Sequence, residues 1–212
     1  LLLDLDGTLL DDSKALTAGS RGFYEAHRSS LGDKTFEAFR ARWRPISGRH
    51  WARIVAGELS FEDQPRECMR EVMGVQFSDA EADAAFEPFL QSYEEAWCCY
   101  DDVAEFMRQT KGLKKIAVTN GQRAAQRAKM QRTGLLADIS DLVTPEDVGA
   151  WKPDPAMFHN ALNQLGVAPN EAMMIGDDYE KDIAPALVMA LQTFWIRRGV
   201  NDLSEALAVI RS

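Results

Sequence analysis

Leu1-Leu2-Leu3-Asp4-Leu5-Asp6-Gly7-Thr8 opens the chain, and the fold turns on how it is read. A short apolar run that ends in Gly-Thr predicts a buried strand entering a turn. Asp4 and Asp6 are two apart on that strand, so their side chains point the same way, about 6.6 Å apart along it. In open α/β sheets, ligands bind at the carboxyl ends of strands. Either acid could therefore serve as nucleophile, metal ligand or general acid. As an isolated pair they equally suit a strand end capped by solvated carboxylates.

The strand needs partners, and the residues that follow supply none. From about Ser13 to Cys99 the spacing is helical, broken by Gly and Pro. Ser78 and Glu81 form a capping-box pattern ahead of Ala82, Phe86, Phe89 and Tyr93. Pro88 is expected to kink that helix. Phe23, Phe36, Phe39, Trp43, Trp51, Ile54 and Val55 fit the apolar faces of earlier helices. After Tyr100 strands and helices alternate. Asp101 or Asp102 can cap a helix carrying Val103, Phe106 and Met107, and Lys115 to Val118 is a strand ending at Thr119-Asn120-Gly121. Asp141 to Thr144, Ala172 to Ile175 and Thr193 to Ile196 are further strands. Asp154-Pro155 starts a helix that Gly166 ends. Alternation of this kind predicts a doubly wound parallel sheet, an α/β fold. The expected organisation is a core of residues 1–12 and 100–212 with a helical lobe, 13–99, inserted after the first strand.

Each strand end also delivers a polar group: Asp4 and Asp6, then Thr119 and Asn120, then Lys152 in the loop after the third strand, then Asp177 and Asp178. A turn threonine, a surface lysine and a capping acid are unremarkable singly. Their convergence on one edge of one sheet predicts a site.

Composition bounds the partners. Of 212 residues, 46% are hydrophobic and 27% charged, so a normal core can form. A formal net charge of −9 repels nucleic-acid phosphates and anionic membranes, which argues against both as partners. Cys68, Cys98 and Cys99 show no paired spacing, and His27, His50 and His159 are scattered, so neither a disulfide framework nor a zinc site is expected. No apolar run reaches the ~18 residues of a membrane span. With no signal peptide visible, the expected location is the cytoplasm.

The four clusters resemble the motifs of the haloacid dehalogenase superfamily. Leu3-Asp4-Leu5-Asp6-Gly7-Thr8-Leu9 resembles its first motif and Val118-Thr119-Asn120-Gly121 its second. Gly149-Ala150-Trp151-Lys152-Pro153-Asp154 resembles the third, and Ile175 through Asp182 the fourth. They stand in the family's order across residues 1–12 and 100–212, and 13–99 resembles the family's α-helical cap. Gly57 through Gln64 is loosely similar to the subgroup holding N-acylneuraminate phosphatases and a pyrimidine nucleotidase.

The resemblance implies a phosphate-monoester hydrolase acting on a small phosphorylated metabolite, of the sugar phosphate or nucleotide class. Asp4 would attack phosphorus and Asp6 would act as acid and base. Thr119, Asn120 and Lys152 would hold the phosphoryl group. Asp4, Asp177 and the Asp6 backbone carbonyl would hold Mg²⁺. A magnitude supports a cation independently: two like charges 4 Å apart repel by roughly 4 kcal/mol at an effective dielectric of 20. A carboxylate meeting a phosphate beside further acids faces several such terms, more than Lys152 alone offsets. Asp178 is expected to support the metal through water, and Asp182, three residues before Pro185, to cap the next helix. Arg44, Arg49 or Arg53 could hook an anionic leaving group, although a solvated helix face is the plainer reading of Arg40, Arg42, Arg44, Arg49, His50 and Arg53. A phosphomutase on the same core, a 2-haloacid dehalogenase and a phosphorelay receiver are the alternatives. The dehalogenase needs neither Asp6 nor Asp177, and a receiver carries no helical insert of this size.

Overall fold

The computed structural model describes residues 1–211. Five strands form one parallel sheet: β1 (Leu2–Leu3), β2 (Ile116–Val118), β3 (Asp141–Val143), β4 (Met173–Gly176) and β5 (Gln192–Trp195). Their spatial order is β3-β2-β1-β4-β5. β1 is central and pairs through Leu2↔Ile116 and Leu3↔Ala117 on one side, and Leu2↔Met174 and Leu3↔Ile175 on the other. The chain builds outward from β1 to β3, then returns to lay β4 and β5 on the opposite flank. The order thus reverses at the β1–β4 boundary, the topological position where open α/β sheets form a crevice.

The register follows from which leucine faces which layer. Leu2 packs with Ile116, Val118, Val143 and Met174 against Met157, Phe158 and Ala161 of α8 (Pro155–Leu165). Leu3 and Leu5 pack on the other side with Ala117, Leu142 and Ile175. That layer is completed by Phe106 of α5 (Val103–Gln109), Met130 of α6 (Arg123–Arg132) and Leu207 of α10 (Leu203–Ile210). Both faces are buried, as a parallel sheet requires. Each of the larger of these side chains contributes about 1.5–3 kcal/mol by leaving water. A one-residue slip would turn every strand residue to the wrong layer. The short α7 (Pro145–Val148) follows β3, and α9 (Ala184–Val188) lies between β4 and β5.

The chain divides into two compact units, one formed by Leu1–Asp12 with the chain from Trp97 onward, the other by Ser13–Ala96. Backbone pairing attaches residues 98–100 to the first unit. Asp11 N–H donates to the Cys98 carbonyl at 3.0 Å, and Tyr100 N–H donates to that of Leu9 at 3.0 Å. The second unit is helical, carried by α1 (Asp12–His27), α2 (Phe36–Val55), α3 (Asp63–Met73) and α4 (Asp79–Glu95). Its core is largely aromatic, with Phe23 5.6 Å from Phe39 and Trp43 5.4 Å from Phe89 between ring centroids. The Ser78–Glu81 capping box forms, and the helix runs through Pro88 without interruption.

Asp102 departs from expectation. Its side chain does not cap α5. It accepts from the Leu203 N–H at 2.8 Å, at the start of α10, and pairs with Arg198 at 2.7 Å. A guanidinium and a free helix donor converging on one carboxylate outcompete the local cap. Among the described residues, no helix is long and apolar enough to cross a membrane.

Candidate active site

The turn after β1 is built tightly. The Leu5 carbonyl accepts from the N–H groups of Thr8, Leu9 and Leu10, and Gly7 N–H closes the loop onto Leu10 at 2.9 Å. Gly7 has φ +86°, in the left-handed region, and a Cβ there would overlap the Asp177 carboxylate. Only glycine suits both the backbone and the neighbour. This turn brings the β1 and β4 loops together.

Asp4 stands at the end of the central strand, 6% exposed. Its Oδ1 receives the Lys152 ammonium at 2.7 Å and its Oδ2 the Thr8 hydroxyl at 2.9 Å. Lys152, also buried, donates to Asp182 Oδ1 at 2.6 Å and to the Val118 carbonyl at 2.7 Å. Asn120 clamps the lysine's backbone. Its Oδ1 accepts from Lys152 N–H at 2.7 Å, and its Nδ2 donates to the Lys152 carbonyl at 3.0 Å. These two bonds use the amide oxygen and one of the two Nδ2 hydrogens, leaving the second N–H to donate. Thr119 is buried, and its Oγ1 accepts from Gly121 N–H at 3.1 Å, leaving its own O–H to donate.

The acids dominate the electrostatics. Burial pushes the Asp4 carboxyl up to about 8; Lys152 pulls down, while Asp182 and Asp177 push further up. Burial also lowers Lys152, but the Asp4 and Asp182 carboxylates outweigh it, and the lysine holds its charge more tightly than usual. Asp177 is raised by burial and by Asp182, against a hydrogen bond from Thr8. Asp4, Asp177 and Asp182 can each present an oxygen so that all three lie within 4.8 Å of one another. One lysine cannot neutralise three such carboxylates. An all-oxygen set of hard anionic donors fits a hard divalent cation such as Mg²⁺.

The Asp6 carboxylate lies outside this trio, receiving Gln126 Nε2 at 2.6 Å and Lys129 Nζ at 2.7 Å. Asp182 corrects the sequence reading. Its carboxylate does not cap α9, whose first turn has no side-chain cap. It is fully buried against Lys152 and accepts from the Asp178 N–H at 3.1 Å. The Lys152 charge, one loop away in space and 30 residues away in sequence, wins over the local cap. Asp178 is itself the local cap, accepting from the Glu180 and Lys181 N–H groups and pairing with the Lys181 ammonium.

Sequence reasoning missed Gln126, Lys129 and Arg198. The first two are three apart on α6, so the signal was a helix face with two long polar residues one turn beyond Gly121. Arg198 lies 3.9 Å over the Tyr100 ring, pairs with Asp102 and donates to the Thr8 carbonyl, bracing the turn behind Asp6. In the helical unit, Arg42 pairs with Asp33, Arg49 and His50 with Glu71, Arg53 with His50, and Arg40 with Thr17.

Known proteins resemble this chain. A phosphoserine phosphatase of Thermus thermophilus is 31% identical over 226 residues, covering 95% of this chain and 89% of its own. The pyrimidine 5'-nucleotidase YjjG of Escherichia coli is 31% identical over 124 residues, 58% of this chain and 55% of its own. Among solved structures, the magnesium-bound HAD-hydrolase YfnB of Bacillus subtilis superposes with a TM-score of 0.80 at 19% identity, covering 100% of this chain and 97% of its own. The 2-haloacid dehalogenase of Pseudomonas syringae pv. Tomato DC3000 does so at 0.71 and 22% identity, covering 99% and 96%. At those identities the two structures establish shared fold alone. The family profile for haloacid dehalogenase-like hydrolases matches residues 1–189, and the chain belongs to that family of enzymes.

Proposed function

We propose that the chain is a magnesium-dependent phosphate-monoester hydrolase working through an aspartyl-phosphate on Asp4. The observation that carries this reading is the Asp4 carboxylate, held at two points by Lys152 and Thr8 within one cluster with Asp177 and Asp182. A carboxylate fixed at the carboxyl end of the central strand can act as a nucleophile. Thr119 would donate its hydroxyl to a phosphoryl oxygen. Lys152 would add a fixed positive charge where the phosphoryl group meets Asp4, and Asn120 keeps that lysine in register.

Asp4, Asp177 and Asp182 would hold Mg²⁺, with the Asp6 carbonyl as a further oxygen donor. When bound, the ion supplies the Lewis-acid neutralisation that lets an anionic carboxylate meet an anionic phosphate. In the first half-reaction an Asp4 oxygen bonds to phosphorus as the bond to the leaving oxygen breaks. Asp6 gives that oxygen its proton, so an alcohol departs. In the second, Asp6 takes a proton from water as the water oxygen bonds to phosphorus. The acyl-phosphate bond breaks and the Asp4 carboxylate is restored.

Small phosphorylated metabolites are the substrate class that fits, since relatives over most or half of the chain are named for phosphoserine and for pyrimidine nucleotides. The three cysteines stand as free thiols, which suits a cytoplasmic enzyme.

The test is phosphate release from sugar phosphates, nucleoside monophosphates and small organic phosphates, with Mg²⁺ and with excess chelator. Release that needs the ion and disappears in Asp4→Asn supports the reading. Full activity in chelator removes the metal, and turnover by Asp4→Asn removes the nucleophile. Halide release from a 2-haloacid without phosphate release would move the chain to the dehalogenase branch.

A further inference from the structure

We propose that Lys129 and Gln126 are positioning residues for Asp6, fixing the carboxylate that serves the leaving-group oxygen; the proposal rests on the phosphatase reading above. Both come from α6, three residues apart and so on one face. Both are buried, 4% and 3% exposed, although lysine and glutamine are among the residue types least often buried. Burying an ammonium is unfavourable unless it is paired, and Lys129 is paired with Asp6 Oδ1 at 2.7 Å and Asp12 Oδ1 at 3.2 Å. Gln126 Nε2 takes the other Asp6 oxygen at 2.6 Å.

Two donors on two different oxygens do what one cannot. A single contact lets a carboxylate rotate about its Cβ–Cγ bond, whereas one on each oxygen fixes the plane as well as the place. Two further observations show that the arrangement is specific. Gln126 Oε1 is buried with no hydrogen-bond partner, which native structures rarely tolerate. Here the amide accepts that loss while its nitrogen is held by Asp6. Gly121 lies where its missing Cβ would overlap the Gln126 amide, so the loop leaving β2 clears the space through which Gln126 reaches Asp6.

The consequence is selective. A general acid contributes about 10²–10⁴-fold, and a misplacement of about 1 Å can cost 10²-fold. That help matters most when the leaving oxygen is strongly basic, as in an alkyl phosphate. It matters little for p-nitrophenolate, a stable anion without a proton. Misplacing Asp6 should therefore damage alkyl esters far more than nitrophenyl esters. General damage to the fold or to the phosphate site would affect both alike.

The experiment measures kcat/KM, which reports the steps through cleavage of the leaving group, for glycerol phosphate and p-nitrophenyl phosphate with Mg²⁺. Wild type, Lys129→Met, Lys129→Arg and Gln126→Met are compared as full chains. Lys129→Met is expected to lose about 100-fold on the alkyl ester and less than about 5-fold on the aryl ester. Lys129→Arg should recover much of the alkyl activity. Since Lys129→Met removes a buried cation, Gln126→Met, which keeps charge and volume, carries the same test where the lysine variant melts early; its loss should be smaller and equally selective. Equal losses on both esters would overturn the positioning role and leave the phosphatase reading standing. A wild-type protein that releases phosphate from neither ester would overturn that reading, and the proposal with it.

Discussion

Lys152→Met puts the electrostatics of the acidic crevice to a quantitative test. Lys152 is 4% exposed, and its ammonium donates to Asp4, Asp182 and the Val118 carbonyl at 2.6–2.7 Å. Methionine fills similar space but leaves Asp4 facing Asp182 without a cation. Breaking a buried pair in this way costs about 3–5 kcal/mol. A domain of this size loses roughly 2–4 °C of Tm per kcal/mol, so the melting point should fall by about 6–20 °C. The loss also has a pH signature in chelator. The Asp4 carboxyl is raised from 3.8 to about 8 in the folded chain. Between about pH 4 and pH 8 the unfolded chain has therefore given up a proton that the folded chain keeps, so stability falls as pH rises through that window. Without Lys152 the carboxyl rises further and the decline extends above pH 8. Urea denaturation at pH 5 and pH 8.5 reads both effects as shifts in midpoint at constant m. The variant's deficit should be larger at the higher pH. A deficit below about 1 kcal/mol, or one larger at pH 5, would refute the idea that Lys152 is the counter-charge for these acids.

Gly7→Ala should cost about 1–2 kcal/mol from its left-handed backbone, and should also raise the Mg²⁺ concentration for half-maximal activity, because the new methyl meets the Asp177 carboxylate; an unchanged Mg²⁺ requirement would contradict the close approach. Mg²⁺ at 100 times its Kd should stabilise the folded chain by about 2.7 kcal/mol, a rise of about 5–10 °C in a thermal melt. Protons compete with the ion for Asp4 and Asp177, both raised. At one fixed Mg²⁺ concentration the shift should therefore be larger at pH 8 than at pH 6, and an equal shift in Asp177→Asn would place the ion elsewhere. Phe23→Ala, emptying the fully buried centre of the helical unit, should cost about 3–5 kcal/mol in urea denaturation.

The sheet was legible because parallel strands are short apolar runs that each end on a chemically loaded loop. Leu1 to Asp6, Lys115 to Asn120 and Ala172 to Asp177 all have that form. The helical insertion was legible for the complementary reason, a long stretch without such a run. Side chains deciding between a local and a distant partner were not. Asp182 and Asp102 each sit where a helix cap is expected. Each instead answers a cation far along the chain, Lys152 or Arg198, whose position depends on the finished fold. The Asn120 side chain likewise has a distant partner that the sequence does not reveal, the backbone of Lys152. Gln126 and Lys129 look like any exposed helix face until α6 is laid over the β1 turn.

The most direct measurement asks where the phosphoryl group goes. Enzyme mixed with a turned-over substrate carrying a labelled phosphate, quenched in acid within one turnover and digested, should yield one labelled peptide containing Asp4. That label should be lost in base, as an acyl phosphate is, and should be absent from Asp4→Asn. Label on any other residue, or wild-type turnover with a phosphate burst and none on Asp4, would contradict the account.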